Sequence, residues 1–177
     1  MRPVLLVTLK AVGLLAFIAA LARPQSVASE REYQTEGVDI VIALDISGSM
    51  QAMDFQPQNR LEVAKAEAKK FILGREHDRI GLVVFARQSY TQCPLTLDYE
   101  VLTQLLDEVQ MGLIKDGTAV GLAIANAVNR LRDSTAKSKV IILITDGANN
   151  AGNIDPLTAA ELAKSFGIRV YAIGVGR

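Results

Sequence analysis

The hydrophobic positions after residue 37 fall into four short runs, separated by longer segments in which apolar residues recur with the spacing of a helix. The runs cover residues 38–44, 80–86, 140–145 and 168–174. Because both faces of each run are apolar, each run predicts a strand covered by helices on both sides, as in a parallel sheet. Strands that alternate with helices predict an α/β fold with a doubly wound, mostly parallel sheet flanked by helices.

Capping residues mark the starts of the helices between these runs. Helical patterns follow directly after Asn59, Asp98, Thr118 and Asp155. Pro156 occupies the first helical position after Asp155, and Gly167 suits the end of the same helix. The run 88–94, after the second strand, predicts a short hairpin partner at a sheet edge, where Pro94 is tolerated.

A separate apolar stretch precedes the domain at residues 3–22. As a helix it would span about 30 Å, the thickness of a bilayer core, and its apolar residues outweigh the cost of about 3 kcal/mol for Lys10. We predict a transmembrane anchor helix over residues 1–24, a polar linker over 25–37 and one domain over 38–177. Two alternatives are a signal peptide cleaved near Ala22 and a helix packed in a soluble core.

Composition excludes several classes of function. The 19 basic and 19 acidic residues balance, so no basic excess indicates binding to nucleic acid. Cys93 is the only cysteine, which rules out an internal disulfide framework and a four-cysteine metal site. With 177 residues the chain is long enough for one domain with a full core.

Polar side chains follow two of the predicted strands and open one predicted helix. Asp45, Ser47 and Ser49 alternate along the loop after the first strand, Thr118 begins a helix, and Asp146 ends the third strand. Ligands of doubly wound sheets bind at the carboxyl ends of the strands, and hard oxygen ligands suit Mg²⁺ or Mn²⁺. With two carboxylates only, such an ion stays electrophilic and can accept an acidic side chain from a protein partner. Alternatively, each residue alone could cap a helix or end a strand.

The segments "DISGSM", "DGTAVG" and "ITDG" resemble the metal-ion-dependent adhesion site of von Willebrand factor type A domains. The resemblance extends over residues 38–176. It implies that the metal is contacted by the hydroxyls of Ser47, Ser49 and Thr118 and held, directly or through water, by Asp45 and Asp146. Such domains serve as protein-interaction modules, so the resemblance also implies a protein partner that offers an acidic residue to the metal.

More narrowly, the segments "NRLEVAKAEAKKFI", "DRIGLVVFA" and "TQCPLTLD" resemble the aerotolerance-operon (Bat-type) bacterial membrane proteins. Those proteins have a transmembrane helix that ends in an Ala-Arg-Pro-Gln step before the domain, as at residues 22–25 here. The resemblance implies a bacterial inner-membrane protein that acts with a MoxR-type AAA+ ATPase and other Bat-type proteins in envelope or stress functions. The distribution of basic residues on the two sides of the apolar stretch slightly favours a periplasmic domain by the positive-inside rule.

Type A domains usually continue with a further strand and a last helix after the segment that matches residues 170–175. We therefore expect a domain that lacks its last strand and helix, with the strand 168–174 left as an unpaired apolar edge. Bat-type proteins also often have further membrane helices on either side of this segment, so the chain is expected to be a fragment.

Two enzyme classes are weaker hypotheses. A Mg²⁺-dependent haloacid-dehalogenase-like phosphotransferase needs a second aspartate two residues after Asp45, where this chain has Ser47, and a serine hydroxyl is a poor general acid or base. A serine hydrolase would have to use the only histidine, His77, and the chain contains no G-x-S-x-G elbow. We therefore predict a protein that is not an enzyme.

Overall fold

The computed structural model of the chain describes residues 2–21 and 37–176, which fall into two compact units. The first unit contains helix α1 (Arg2–Leu21), on which Leu9 and Phe17 are exposed. Across 2–21 and 37–176, no helix combines the length and the apolar character that crossing a membrane requires. The membrane anchor over residues 1–24 stays a prediction, and the linker, apart from Gly37, lies outside the described residues.

A five-stranded sheet forms the second unit. Its strands are β1 (Asp39–Asp45), β2 (Arg79–Phe85), β3 (Ser89–Thr96), β4 (Lys139–Thr145) and β5 (Ile168–Gly174), in the order β3-β2-β1-β4-β5. Every pairing is parallel except that of β3 with β2. This confirms the mostly parallel sheet and the antiparallel hairpin partner at one edge. Because β1 pairs with β2 on one side and with β4 on the other, the switch point of the sheet lies at the carboxyl end of β1.

Helices cover both faces of the sheet, as the apolar runs predict. They are α2 (Arg60–Leu73), α3 (Tyr99–Asp107), α4 (Val120–Leu131) and α5 (Pro156–Ser165). Alternate residues of β1 point to opposite faces, so Ile42 lies in the core formed with α2 and α3, whereas Val41 lies in the core formed with α4 and α5. All seven residues of β1 are therefore buried.

Three of the four predicted helix starts form as expected, each with a capping side chain. The side chains of Asn59, Asp98 and Asp155 accept hydrogen bonds from backbone N–H groups in the first turns of α2, α3 and α5. The helix expected directly after Thr118 begins one residue later than predicted, at Val120, with Ala119 in the N-cap position. The backbone N–H of Thr118 donates to Asn150 Oδ1 at 2.8 Å, a contact with the loop after β4.

The cap of α5 provides a simple test of the fold. Asp155 Oδ2 accepts from the N–H groups of Leu157 and Thr158 at 3.0 and 3.2 Å. We expect Asp155→Ala to lower the free energy of unfolding by about 1 kcal/mol, since these two donors lose their partner. Asp133→Ala is the matched control, because the Asp133 side chain is exposed and should contribute little. Equal urea midpoints for the two variants would contradict the cap.

The sheet edge formed by β5 is apolar and open. Within residues 37–176, β5 pairs with β4 alone, and Tyr171 and Ile173 are each about half exposed. An apolar groove of about 310 Å³ lies between α2 and this edge, with Ala64 and Ala68 on one wall and Val175 on the other. The predicted unpaired apolar edge is therefore present.

Candidate metal site

The carboxyl end of β1 holds the first predicted ligand in a fixed orientation. Asp45 is the last residue of β1 and is fully buried. Its Oδ1 accepts from the Ser47 backbone N–H at 2.8 Å, and its Oδ2 accepts from Thr145 Oγ1 at 2.6 Å. Burial raises the pKa of the Asp45 carboxyl, although these hydrogen bonds oppose the effect. A positive charge placed beside Asp45 would therefore favour its ionised form.

Two serine hydroxyls connect this strand end to the second predicted carboxylate. Ser47 Oγ and Ser49 Oγ lie 3.1 Å apart, and Ser49 Oγ donates to Asp146 Oδ1 at 2.6 Å. Ser47 is buried, whereas Ser49 is exposed at the start of a 3-10 turn (Gly48–Gln51). The loop after β1 and the loop after β4 thus share one chain of oxygen atoms.

Thr118 joins this group from the segment before α4. Residue Gly147 shows the proximity, because a Cβ added there would lie 3.6 Å from Thr118 Oγ1 and 4.0 Å from Ser49 Oγ. Thr118 itself is buried, and its carbonyl accepts from the backbone N–H groups of Asn150 and Ala151. The structure therefore brings all five predicted residues together at the carboxyl ends of the strands.

The side chains at the carboxyl ends of these strands offer the ligands that a hard cation prefers. Their oxygen atoms come from two carboxylates and three hydroxyls, which are the ligand types that Mg²⁺ and Mn²⁺ take. In the part of the chain that the structure describes, no three His, Cys, Asp or Glu side chains come together as a metal cluster. The side chains that could contact an ion here are therefore hydroxyls as well as carboxylates, and the residues present fit such an ion.

The sequence predictions missed Arg60, which contacts one of the expected ligands. Arg60 NH1 donates to Asp146 Oδ2 at 2.5 Å, and Arg60 Nε donates to Asp54 Oδ2 at 2.7 Å. These hydrogen bonds, that to Asp146 first, raise the pKa of Arg60. Arg60 is the first residue of α2 and lies 86 positions from Asp146, so the local pattern identified it as part of a helix only.

Asp116 is a second residue that the predictions missed, although it precedes Thr118 by two positions. Its Oδ1 accepts from the backbone N–H groups of Gly48 at 2.8 Å and Gly117 at 2.9 Å, which lowers the pKa of Asp116. A Cβ at Gly48 would lie 3.1 Å from Asp116 Oδ2, so glycine permits this close approach. Asp116 thus ties the loop after β1 to the segment that carries Thr118.

The only histidine lies away from these strand ends. His77 precedes β2, whose first residue pairs with the first residue of β1, and the predicted ligands follow the last residue of β1. His77 is therefore at the opposite end of the sheet from Ser47 and Ser49. A hydrolytic pairing of histidine with either serine has no support in this arrangement.

Comparison with known proteins places this arrangement in context. The family model for the von Willebrand factor type A domain matches residues 39–177. The structure of an aerotolerance-related membrane protein from Bacteroides fragilis NCTC 9343 is 43% identical, with a TM-score of 0.73 over 79% of this chain and 68% of that chain. The structure of the conserved hypothetical protein BatB from Bacteroides thetaiotaomicron is 40% identical, with a TM-score of 0.69 over 78% of this chain and 66% of that chain.

Similarity to curated sequences covers a part of those proteins. An uncharacterized protein from Borreliella burgdorferi is 37% identical over 162 residues, which cover 92% of this chain and 48% of that protein. A UPF0353 protein from Mycolicibacterium paratuberculosis is 31% identical over 150 residues, which cover 77% of this chain and 44% of that protein. The chain thus spans about half the length of the curated relatives it matches.

Proposed function

This chain belongs to the von Willebrand factor type A domain family, and from that premise we propose that it is a protein-interaction module whose contacts depend on a divalent metal ion. The observation that carries the proposal is the chain of oxygen atoms from Ser47 through Ser49 to Asp146, beside the buried carboxylate of Asp45. A protein that needed these residues only as caps would not have to collect them from three distant segments.

Five residues would hold the ion, which we propose to be Mg²⁺ or Mn²⁺. They are Asp45, Ser47, Ser49, Thr118 and Asp146. When bound, the ion supplies a Lewis-acidic centre that attracts anionic oxygen. Neighbouring groups hold these ligands in place. Thr145 and the Ser47 N–H fix the carboxylate of Asp45, and Asn150 fixes the backbone of Thr118.

The partner would bind at the exposed rim of this site through an acidic side chain. Gly48 and Ser49 are exposed, so a glutamate or aspartate from another protein can approach the ion from solvent. The ion would attract the partner's carboxylate, and the loops around Gly48 and Asn150 would provide the remaining contact. Partner and metal must then raise each other's affinity by the same factor.

The coupling of metal and partner can be tested with one substitution. We expect Thr118→Ala to reduce capture of the partner from host membranes by about tenfold in Mg²⁺, since one hydroxyl ligand is lost. The assay immobilises the full chain, quantifies captured proteins by mass spectrometry and repeats the capture in EDTA. Thr135→Ala is the matched control, because Thr135 is exposed in the loop before β4, at the opposite end of the sheet. Capture that is indifferent to EDTA would place the docking surface elsewhere.

Cell fractionation, together with the same capture experiment, tests the cellular setting that we propose. We propose a bacterial inner-membrane protein that works with a MoxR-type AAA+ ATPase and other Bat-type proteins, with the domain in the periplasm. Support comes from the similarity to an aerotolerance-related membrane protein and from the exposed apolar side chains of α1, such as Leu9 and Phe17. Absence of the chain from the membrane fraction would contradict the proposed membrane location. Absence of an AAA+ ATPase from the captured proteins would contradict the proposed partner.

An enzymatic role has less support. A haloacid-dehalogenase-like phosphotransferase would use the residue two positions after Asp45 as its acid and base, and here Ser47 Oγ lies 3.1 Å from Ser49 Oγ, with no carboxyl in its place. We infer that the chain has no phosphatase activity of its own. Turnover of a phosphate ester with Mg²⁺ that disappears in Asp45→Asn would reverse this inference.

A further inference from the structure

Arg60 is a cation built into the rim of the site. Its side chain is 19% exposed and bridges two carboxylates, those of Asp54 and Asp146. Nε and NH2 both donate to Asp54 Oδ2, and NH1 donates to Asp146 Oδ2. Held at three nitrogens, the guanidinium has a fixed position beside Asp146.

The Asp146 carboxylate has no solvent-exposed area, so it depends on its protein partners. Ser49 Oγ donates to Oδ1, and Arg60 NH1 donates to Oδ2. A buried carboxylate without a cationic partner is unfavourable, and the charges of Asp45 and Asp146 repel each other across the site. In the metal-free protein, the positive charge of Arg60 therefore stabilises the two carboxylates at the carboxyl ends of β1 and β4.

A divalent ion bound beside Asp146 would lie close to the positive charge of Arg60. Any ion that draws on Asp146 shares the carboxylate with the guanidinium of Arg60, whose NH1 is 2.5 Å from Oδ2. Two cations beside one carboxylate repel each other, and the shared carboxylate attracts each of them less strongly. The guanidinium thus stabilises the metal-free fold and disfavours the metal-bound state.

We propose that Arg60 is a resident counter-cation that competes with the metal for Asp146 and so sets the metal affinity of the site. Arg60 is a positioning residue and not a ligand, and this inference rests on the proposed metal-dependent function. It implies that the site is held below its maximal affinity, so that the ion is bound firmly when the carboxylate of a partner adds to it.

The test compares three arginine variants with the wild type, each as the full chain in detergent. We expect Arg60→Gln to bind Mn²⁺ about tenfold more tightly than the wild type, because a nearby positive charge is removed. Free Mn²⁺ is measured by electron paramagnetic resonance. In EDTA, the same variant should melt at a lower temperature than the wild type, since Asp146 loses its cationic partner and keeps only the hydroxyl of Ser49. A residue with a purely structural role would not raise the Mn²⁺ affinity when it is removed.

Arg79→Gln is the matched control. Arg79 also pairs with a buried carboxylate, that of Asp39, but at the amino end of β1. In EDTA, Arg79→Gln should melt at a lower temperature than the wild type, and it should bind Mn²⁺ with the affinity of the wild type. Arg60→Lys, which keeps the charge, should bind Mn²⁺ with nearly the wild-type affinity.

A measurement on the wild type covers the case in which Arg60→Gln does not fold. The guanidinium ¹H–¹⁵N resonance of Arg60 should shift when Mg²⁺ is added, whereas that of Arg79 should not. A stationary Arg60 resonance during metal binding would overturn the proposal.

The outcomes separate this inference from the proposed function. If the wild type binds Mn²⁺ and Arg60→Gln binds it equally or more weakly, Arg60 does not compete with the metal, and the proposed function stands. If Arg79→Gln gains as much affinity as Arg60→Gln, the effect is one of net charge and the inference fails. If neither the wild type nor Arg60→Gln binds Mn²⁺, the metal-dependent function fails and the inference fails with it.

Discussion

Asp45→Asn is expected to lower the Mg²⁺ affinity of the chain by about a hundredfold while the domain stays folded, because a charged ligand becomes neutral. Asparagine has the shape of aspartate, so its Oδ1 can still accept from the Ser47 N–H. The Thr145 hydroxyl, which donates to Asp45 Oδ2 at 2.6 Å, can rotate and accept from the new amide instead. The fold thus keeps its hydrogen bonds and the ion loses one of two carboxylates.

The measurement is isothermal titration of the full chain with Mg²⁺, with Asp39→Asn as the matched control. Asp39 is also buried in β1, but it lies at the amino end of the strand and pairs with Arg79. We expect Asp39→Asn to bind Mg²⁺ as the wild type does, even though it lowers stability. If Asp45→Asn binds Mg²⁺ unchanged, the ion is not held at the carboxyl end of β1.

Gly121→Ala is expected to destabilise the domain by about 3 kcal/mol or more, because the new methyl group has no space. A Cβ at Gly121 would lie 2.0 Å from the carbonyl oxygen of Ile154 and 2.7 Å from its carbonyl carbon. These atoms belong to the backbone ahead of α5, so the strain is relieved only if α4 moves away from that segment. Since α4 begins two positions after Thr118, its displacement should also weaken metal binding.

Urea denaturation measures this effect, and Gly174→Ala is the control. A Cβ at Gly174 would meet no atom within 4 Å, so that substitution should leave the midpoint nearly unchanged. Two variants with the same midpoint would show that α4 can withdraw from Ile154 without cost. A loss of stability in Gly121→Ala with unchanged Mg²⁺ affinity would show that the position of Thr118 does not depend on α4.

The features that could be predicted from the sequence depend on neighbouring residues or on a recognisable motif. The strand β1 follows from a run of apolar residues, and the cap of α5 follows from Asp155 and Pro156 as neighbours. Asp45 and Asp146 could be assigned to one edge because parallel strands end together. The resemblance to a known adhesion site then grouped them with three hydroxyls, and the structure brings these residues together.

What could not be predicted depends on contacts between distant segments. Arg60 meets Asp146 across 86 positions, and Asp116 meets Gly48 across 68. Neither contact leaves a spacing that can be recognised along the chain, because an arginine at a helix start and an aspartate before a glycine are ordinary.

The distance along the chain between the parts of this site has a kinetic consequence. Thr145 and Asp45 are in contact across 100 positions, and Ser49 and Asp146 across 97. Closing loops of that length is slow and entropically costly, so these contacts are expected to form late in folding. A metal ion bound by them therefore has no counterpart in the unfolded chain. Its binding energy is added to the native state alone, and occupancy of the site reports that the centre of the sheet has assembled.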